Sequence, residues 1–257
     1  MDLTQAVALF VAAFLAGIVN SIAGGGTLIT FPVLLWVGLD AKIANATSTV
    51  ALWPGLFGGF WGYRKEIEDS RTFLRRLGVT SLFGGAAGTA LLVITPSEIF
   101  SLLVPFLILF ATLLFMIQEQ LSRRLKLNAV AGAHPPPAWW MGAIIVQFFS
   151  AIYGAYFGAG NGILMLAVIG LLGISDIHRA NGIKTFLGFV LNSVAVIGFA
   201  LTGLVNWRMS MVMVTGAILG GYYGTNIARR LGRAFVRRAV VAVGLTISAI
   251  MLWRLWS

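Results

Sequence analysis

The fold is decided by two stretches, AGGGTLITFPVLLWVGLDAKIANATST at residues 23–49 and AGNGILMLAVIGLLGISDIHRANGIKT at residues 159–185. A gapless shift of 136 residues lays Gly24 on Gly160, Gly26 on Gly162, Asp40 on Asp176, Ala44 on Ala180, Asn45 on Asn181 and Thr49 on Thr185. The register continues downstream, where Gly62 falls on Gly198 and Gly84, Gly85, Gly88 and Thr89 fall on Gly220, Gly221, Gly224 and Thr225. Chance matches of common Gly and Ala are expected. A run of identities in a GGxxGT pattern, joined to matched Asp, Asn and Thr, points instead to two copies of one unit, and a repeat sets the architecture.

The repeat lies in a very apolar chain. Of 257 residues 59% are hydrophobic and 10% charged, against roughly 25% charged in soluble domains. The few charges leave runs at 3–39, 43–63, 77–97, 99–118, 127–175, 185–207, 209–228 and 239–253 with none. About 20 apolar residues span a hydrocarbon core as a helix, so nearly the whole chain is expected in the membrane as an all-α polytopic protein of 8–10 transmembrane helices. The start, MDLTQ, has no basic region before its apolar stretch and reads as a first membrane segment, with the mature chain beginning near Met1.

Each copy divides into five apolar segments, at about 3–20, 26–38, 41–63, 74–95 and 98–118, then 138–156, 162–174, 177–203, 208–228 and 236–255. The second segment of each copy is short, roughly 20 Å of helix, and follows a glycine-rich break, AGGGT at 23–27 and GAGNG at 158–162. It is either a short tilted span or half of a re-entrant hairpin. The expected organisation is a first repeat over 1–122, a cytoplasmic linker over 123–137 carrying His134 and Pro135 to Pro137 as a stiff extended piece, and a second repeat over 138–257.

Charge placement orients the copies. Thirteen of the 18 basic residues form three clusters: Arg64, Lys65, Arg71, Arg75 and Arg76; Arg123, Arg124 and Lys126; Arg229, Arg230, Arg233, Arg237 and Arg238. The positive-inside rule makes all three cytoplasmic. The first follows the third segment of copy one and the last follows the fourth segment of copy two, so the copies are inserted with opposite topology and both termini are non-cytoplasmic. Inverted repeats are a recurring plan of secondary transporters, with the binding site at the repeat interface. The net charge of +10 is then a topological signal and not a sign of nucleic-acid binding.

Two groups of residues are candidates for an anion site. Gly24, Gly25, Gly26, Gly160 and Gly162 let the backbone approach a ligand, and N–H groups at the start of the following helix favour negative charge; tight turns or packing would use the same glycines. Asn45, Ser48 and Thr49 share one helix face, as do Asn181, Lys184 and Thr185, with Gly188 and Asn192 continuing it. Polar groups within a membrane face the protein interior, and inter-helix hydrogen bonding is the plainer role for Thr47, Ser48, Asn192 and Ser193 taken singly. Lys184 lies about 12 Å along its helix from Asp176 and is followed by 23 uncharged residues; it either attracts an anion or snorkels to the interface. Asp40 and Asp176 suit helix N-caps. The pairs Gly55/Gly59, Gly58/Gly62, Gly84/Gly88, Gly216/Gly220 and Gly220/Gly224 have the spacing of close helix contacts.

Enzyme signatures are missing. There is no cysteine, there are two histidines, His134 and His178, and neither a carboxylate pair within the membrane nor a Ser/His arrangement is visible. The GAGNG break is not followed by Lys-Ser/Thr, so no nucleotide loop or other cofactor motif is read.

The order and spacing of GIVNSIAGGGTLITFPVLLWVGLDAKIANATST (17–49), GAYFGAGNGILMLAVIGLLG (154–173), RANGIKT (179–185), NWR (206–208) and GAILGGYYGTNIARRLGR (216–233) resemble the sulfite exporter TauE/SafE family, also called the four-toluene sulfonate uptake permease family. The resemblance runs from about Gly17 to Arg254. It implies a multi-pass cell-membrane transporter, in contact with lipid, of a small sulfur-containing anion such as sulfite, thiosulfate or an organosulfonate. Alternating access between the repeats is the expected mechanism; an anion channel of the same fold and a non-transporting scaffold are the alternatives, and a coupling proton or ion stays open.

Overall fold

In the computed structural model, which describes residues 1–22, 24–128, 137–231 and 233–256, the chain is all-helical. Ten α-helices follow in order: α1 (Leu3–Ile22), α2 (Thr27–Trp36), α3 (Ala41–Gly62), α4 (Arg71–Ile94), α5 (Ser97–Asn128), α6 (Pro137–Tyr156), α7 (Asn161–Leu171), α8 (Ile177–Leu201), α9 (Trp207–Leu231) and α10 (Arg233–Trp256). They coincide with the ten expected segments to within a few residues, except that α5 runs on to Asn128. Of the expected linker, residues 129–136, with His134 and Pro135, lie outside the described residues. Among the described residues five helices are long and apolar enough to cross a membrane, including Ser97–Gln118 of α5 and Ile177–Leu201 of α8.

Local chemistry fixes the boundaries. Asp40 caps α3 by accepting from the backbone N–H of Lys42 at 2.9 Å, and Asp176 caps α8 by accepting from that of Arg179 at 2.7 Å. Both caps were expected. The ammonium of Lys42, also buried, donates to the carbonyls of Val93 at 2.7 Å and Thr95 at 2.8 Å, closing the C-terminal end of α4, where the helix dipole favours a cation.

The two halves pack alike. Exchanging α1–α5 with α6–α10 maps α1 against α9 onto α6 against α4, and α3 against α9 onto α8 against α4; α3 against α8 and α5 against α10 map onto themselves. The repeated GGxxGT motif makes the tightest of these seams. A Cβ on Gly84 would stand 2.7 Å from the Phe148 carbonyl oxygen on α6, and Gly220 lies directly against the Phe14 carbonyl on α1. Small residues therefore set close packing here. Gly58 and Gly62 behave otherwise than their spacing suggests: a Cβ on either would meet no neighbouring helix within 4 Å, because both line an open cavity.

Helices α3 and α8 run antiparallel through the centre. Gly182 abuts Tyr63, Gly59 abuts Thr185, and the Trp53 indole donates to Ser193 Oγ at 3.0 Å. Consequently α2 and α7, which lead into α3 and α8, head for opposite ends of the bundle. Each has only 10 or 11 residues, about 15 Å of rise. Their starting points meet: a Cβ on Gly24 would be 3.1 Å from Gly162 Cα. Gly24 and Gly160, equivalent in the repeat, have φ of 77° and 75°, a left-handed conformation that glycine adopts without a Cβ penalty.

Candidate functional site

Beside the two glycine tips lies a small cavity of about 70 Å3, bounded by Gly24 and Thr27 from one tip, Gly158, Asn161 and Gly162 from the other, Thr49 and Trp53 from α3, and Lys184, Thr185 and Asn192 from α8. Lys184 is 5% exposed and lines this cavity, so it does not snorkel to the surface. Among the described residues its ammonium has no hydrogen-bond or ion-pair partner, and no carboxylate lines the cavity. The N–H groups of Thr27 and Gly162, in the first turns of α2 and α7, likewise find no partner among the described residues.

Of the residues singled out from the sequence, Gly24, Gly162, Thr49, Lys184 and Thr185 come together here. The others are placed elsewhere. Gly25 is pressed against the Phe115 ring of α5 and Gly26 against α1, so these two serve packing, while Gly160 makes the left-handed turn into α7 beside Ala111 of α5. Ser48 is fully buried, its hydroxyl 2.6 Å from that of Thr30. Asn45 is fully buried too and donates through Nδ2 to the Tyr156 carbonyl at 2.9 Å. Asn181 lines a second, larger cavity, and its Nδ2 turns back to the Ile177 carbonyl at 2.9 Å. The amide oxygens of Asn45 and Asn181 are both buried without a partner. The hydroxyls of Thr49 and Thr185 donate to the carbonyls of Asn45 and Asn181, leaving their lone pairs to the cavity.

Two polar residues at the site did not enter the candidate set. Asn161 gives its amide oxygen to the Ser150 hydroxyl at 2.7 Å, which leaves its Nδ2 for the cavity it lines. Asn20 accepts from the Gly26 N–H at 2.8 Å and lines both cavities. Each sits in or one turn before a glycine break, and that adjacency was the signal that could have found it.

The larger cavity, about 1140 Å3, shares Asn20, Leu52, Leu56 and Thr185 with the small one. It extends to the end of the bundle where α3 stops and α8 begins, at Gly62, Glu66, Asp176, His178 and Arg179. The opposite end is sealed. There Thr47 Oγ1 accepts from the Asn206 N–H at 3.0 Å, Asn45 reaches Tyr156, and the rings of Phe31, Phe100, Tyr156 and Phe157 interlock with centroids 5.5–6.5 Å apart.

Comparison with known proteins accords with this architecture. Residues 9–251 match the family model described as sulfite exporter TauE/SafE. The chain belongs to the TauE/SafE family. It is 29% identical over 247 residues to a probable membrane transporter protein of Haemophilus influenzae, covering 95% of this chain and 93% of the relative. The probable membrane transporter protein YfcA of Escherichia coli K12 is 28% identical over 248 residues, covering 95% and 88%. A third, the probable membrane transporter protein ORF9 of a Sinorhizobium species, is 27% identical over 244 residues, covering 93% and 89%. No solved structure matches with significance. This member of the TauE/SafE family is thus a multi-pass membrane protein whose relatives bear the name probable membrane transporter protein.

Proposed function

We propose that the chain is a secondary transporter, carrying a small sulfur-containing anion across the cell membrane by alternating access between two inverted halves, residues 1–122 and 138–257. The observation that carries this is Lys184: an unpaired buried ammonium, in a polar cavity between two glycine tips, approached from one end of the bundle. Burying a charge without a partner costs several kcal/mol, and an anion beside it relieves that cost. The N–H groups of Thr27 and Gly162 supply further donors at two helix starts. A cavity of about 70 Å3 has room for several waters, which suits a compact oxyanion such as sulfite or thiosulfate.

The first basic cluster, Arg64 to Arg76, flanks the open end, so the positive-inside rule turns that end to the cytoplasm. Access to the other side requires the sealed end to open. Asn45 and Tyr156 of the seal correspond, through the 136-residue shift, to Asn181 and Asn20 at the open end. The two halves exchange roles: in the outward-facing state Asn181 Nδ2 reaches the Asn20 carbonyl, while Asn45 falls back on the Ala41 carbonyl of its own helix. The hydrogen bonds of the seal favour a carrier over a continuous channel.

Saturable flux of labelled sulfite or thiosulfate into proteoliposomes supports the proposal. Unitary conductance without saturation would replace it with the channel reading.

A further inference from the structure

Resting on the transport reading above, we propose that Lys184 also carries a proton, so that the anion and a proton cross together and the empty protein returns with Lys184 neutral. The ground is what surrounds this side chain. Asn20, Gly24 and Thr27 face it from the first tip, Thr49 and Trp53 from α3, Asn161 and Met165 from the second tip, and Thr185 and Asn192 from its own helix. None of these is an acid or a base. Along the larger cavity the ionisable groups are Tyr63, Glu66, Asp176, His178, Arg179 and Tyr222; Asp176 is two helical turns away and already accepts from the backbone N–H of Arg179, whose guanidinium donates to Ser70 Oγ at 2.8 Å. The repeat offers no counter-charge either, because position 184 corresponds to Ser48 in the other half.

In the inward-facing conformation, water in the larger cavity can solvate the ammonium. Switching sides passes through a state closed at both ends, and there an unpaired ammonium has neither water nor a carboxylate. Two species escape that penalty: the ammonium with its anion, and the neutral amine alone. After the anion leaves, Lys184 releases its proton to the water on the same side, Nζ passing from NH3+ to NH2, and the empty protein turns over uncharged at this site. On the loading side the amine takes a proton from water as the next anion binds. Each cycle moves one anion and one proton in the same direction.

Arginine at this position keeps a positive charge but cannot deprotonate. A Lys184→Arg protein is therefore expected to lose proton-driven net transport.

The test uses full-length protein in proteoliposomes with an entrapped pH dye and labelled methanesulfonate or thiosulfate, anions of strong acids that carry no proton themselves. With the wild-type protein, inward anion movement should acidify the lumen, and an acidic exterior should drive accumulation. With Lys184→Arg, pH-driven accumulation should fall to that of protein-free vesicles. Anion movement by the wild-type protein without proton movement, driven by membrane potential alone, overturns the coupling and leaves transport standing. Retention of pH-driven accumulation by Lys184→Arg also overturns it. No anion movement under any condition, exchange included, overturns the transport reading and the coupling with it. The wild-type proton measurement decides the matter even if the arginine variant does not fold.

Discussion

Gly24 and Gly162 face one another where the starts of α2 and α7 meet, so closely that a Cβ on Gly24 would lie 3.1 Å from Gly162 Cα. Their contact joins the two halves of the molecule at the wall of the small cavity. Gly24→Ala should lose most of its anion flux. Its left-handed φ of 77° adds a strain of about 1–2 kcal/mol. Gly38→Ala is the control, since Gly38 has φ of 98° but nothing within 4 Å. Both variants should lower the melting temperature in detergent, Gly24→Ala at least as much as Gly38→Ala, and only Gly24→Ala should lose flux.

The glycine seams give a second contrast. Gly84→Val forces a side chain into the Phe148 carbonyl and Ala151 of α6, an overpacking cost of about 1–3 kcal/mol. Gly58→Ala enters open space. Thermal unfolding followed by tryptophan fluorescence should show a clear drop for the first and little change for the second.

The proposed exchange of roles between Asn45 and Asn181 is testable because the chain has no cysteine, so any introduced cysteine is the single thiol. Gly58→Cys places that thiol in the larger cavity, where an impermeant maleimide should label it from the cytoplasmic side. Adding Asn45→Ala, which breaks the bond to Tyr156, should reduce this labelling by favouring the outward-facing state. Adding Asn181→Ala should leave it unchanged or raise it. Labelling unaffected by Asn45→Ala would remove Asn45 from the seal.

Lys42 supports the fold without touching the site. Lys42→Met leaves the Val93 and Thr95 carbonyls without their donor, a loss of about 1.5–3 kcal/mol for hydrogen bonds to a charged group. A lower melting temperature with unchanged affinity for the anion is the expected outcome.

The sequence made some of these relationships legible and hid others for identifiable reasons. Ten segments, both aspartate caps and the shared helix face of Lys184 and Thr185 follow from period, spacing and repeat register, all local properties, whereas the choice between cavity and surface for Lys184 needed the surrounding helices. The roles of neighbouring glycines do not. Gly24 lines the cavity while Gly25 is held by Phe115, a residue of α5 far away in sequence. Ser48 has the same helical spacing as a ligand residue, but Thr30 on α2 takes its hydroxyl. Gly58 and Gly62 have the spacing of a packing seam and meet only open space. In each case the deciding contact comes from an element that local spacing does not name.

The central claim is that Lys184 holds the transported anion. Its most direct measurement is the concentration dependence of labelled sulfite and thiosulfate flux in proteoliposomes carrying wild-type or Lys184→Ala protein in equal amounts. A charge-assisted hydrogen bond of about 1.5–3 kcal/mol corresponds to roughly 10- to 100-fold in affinity. The account predicts saturable wild-type flux and a loss of that order in the variant; no saturable flux of either anion, or a variant with unchanged flux and affinity, would contradict it.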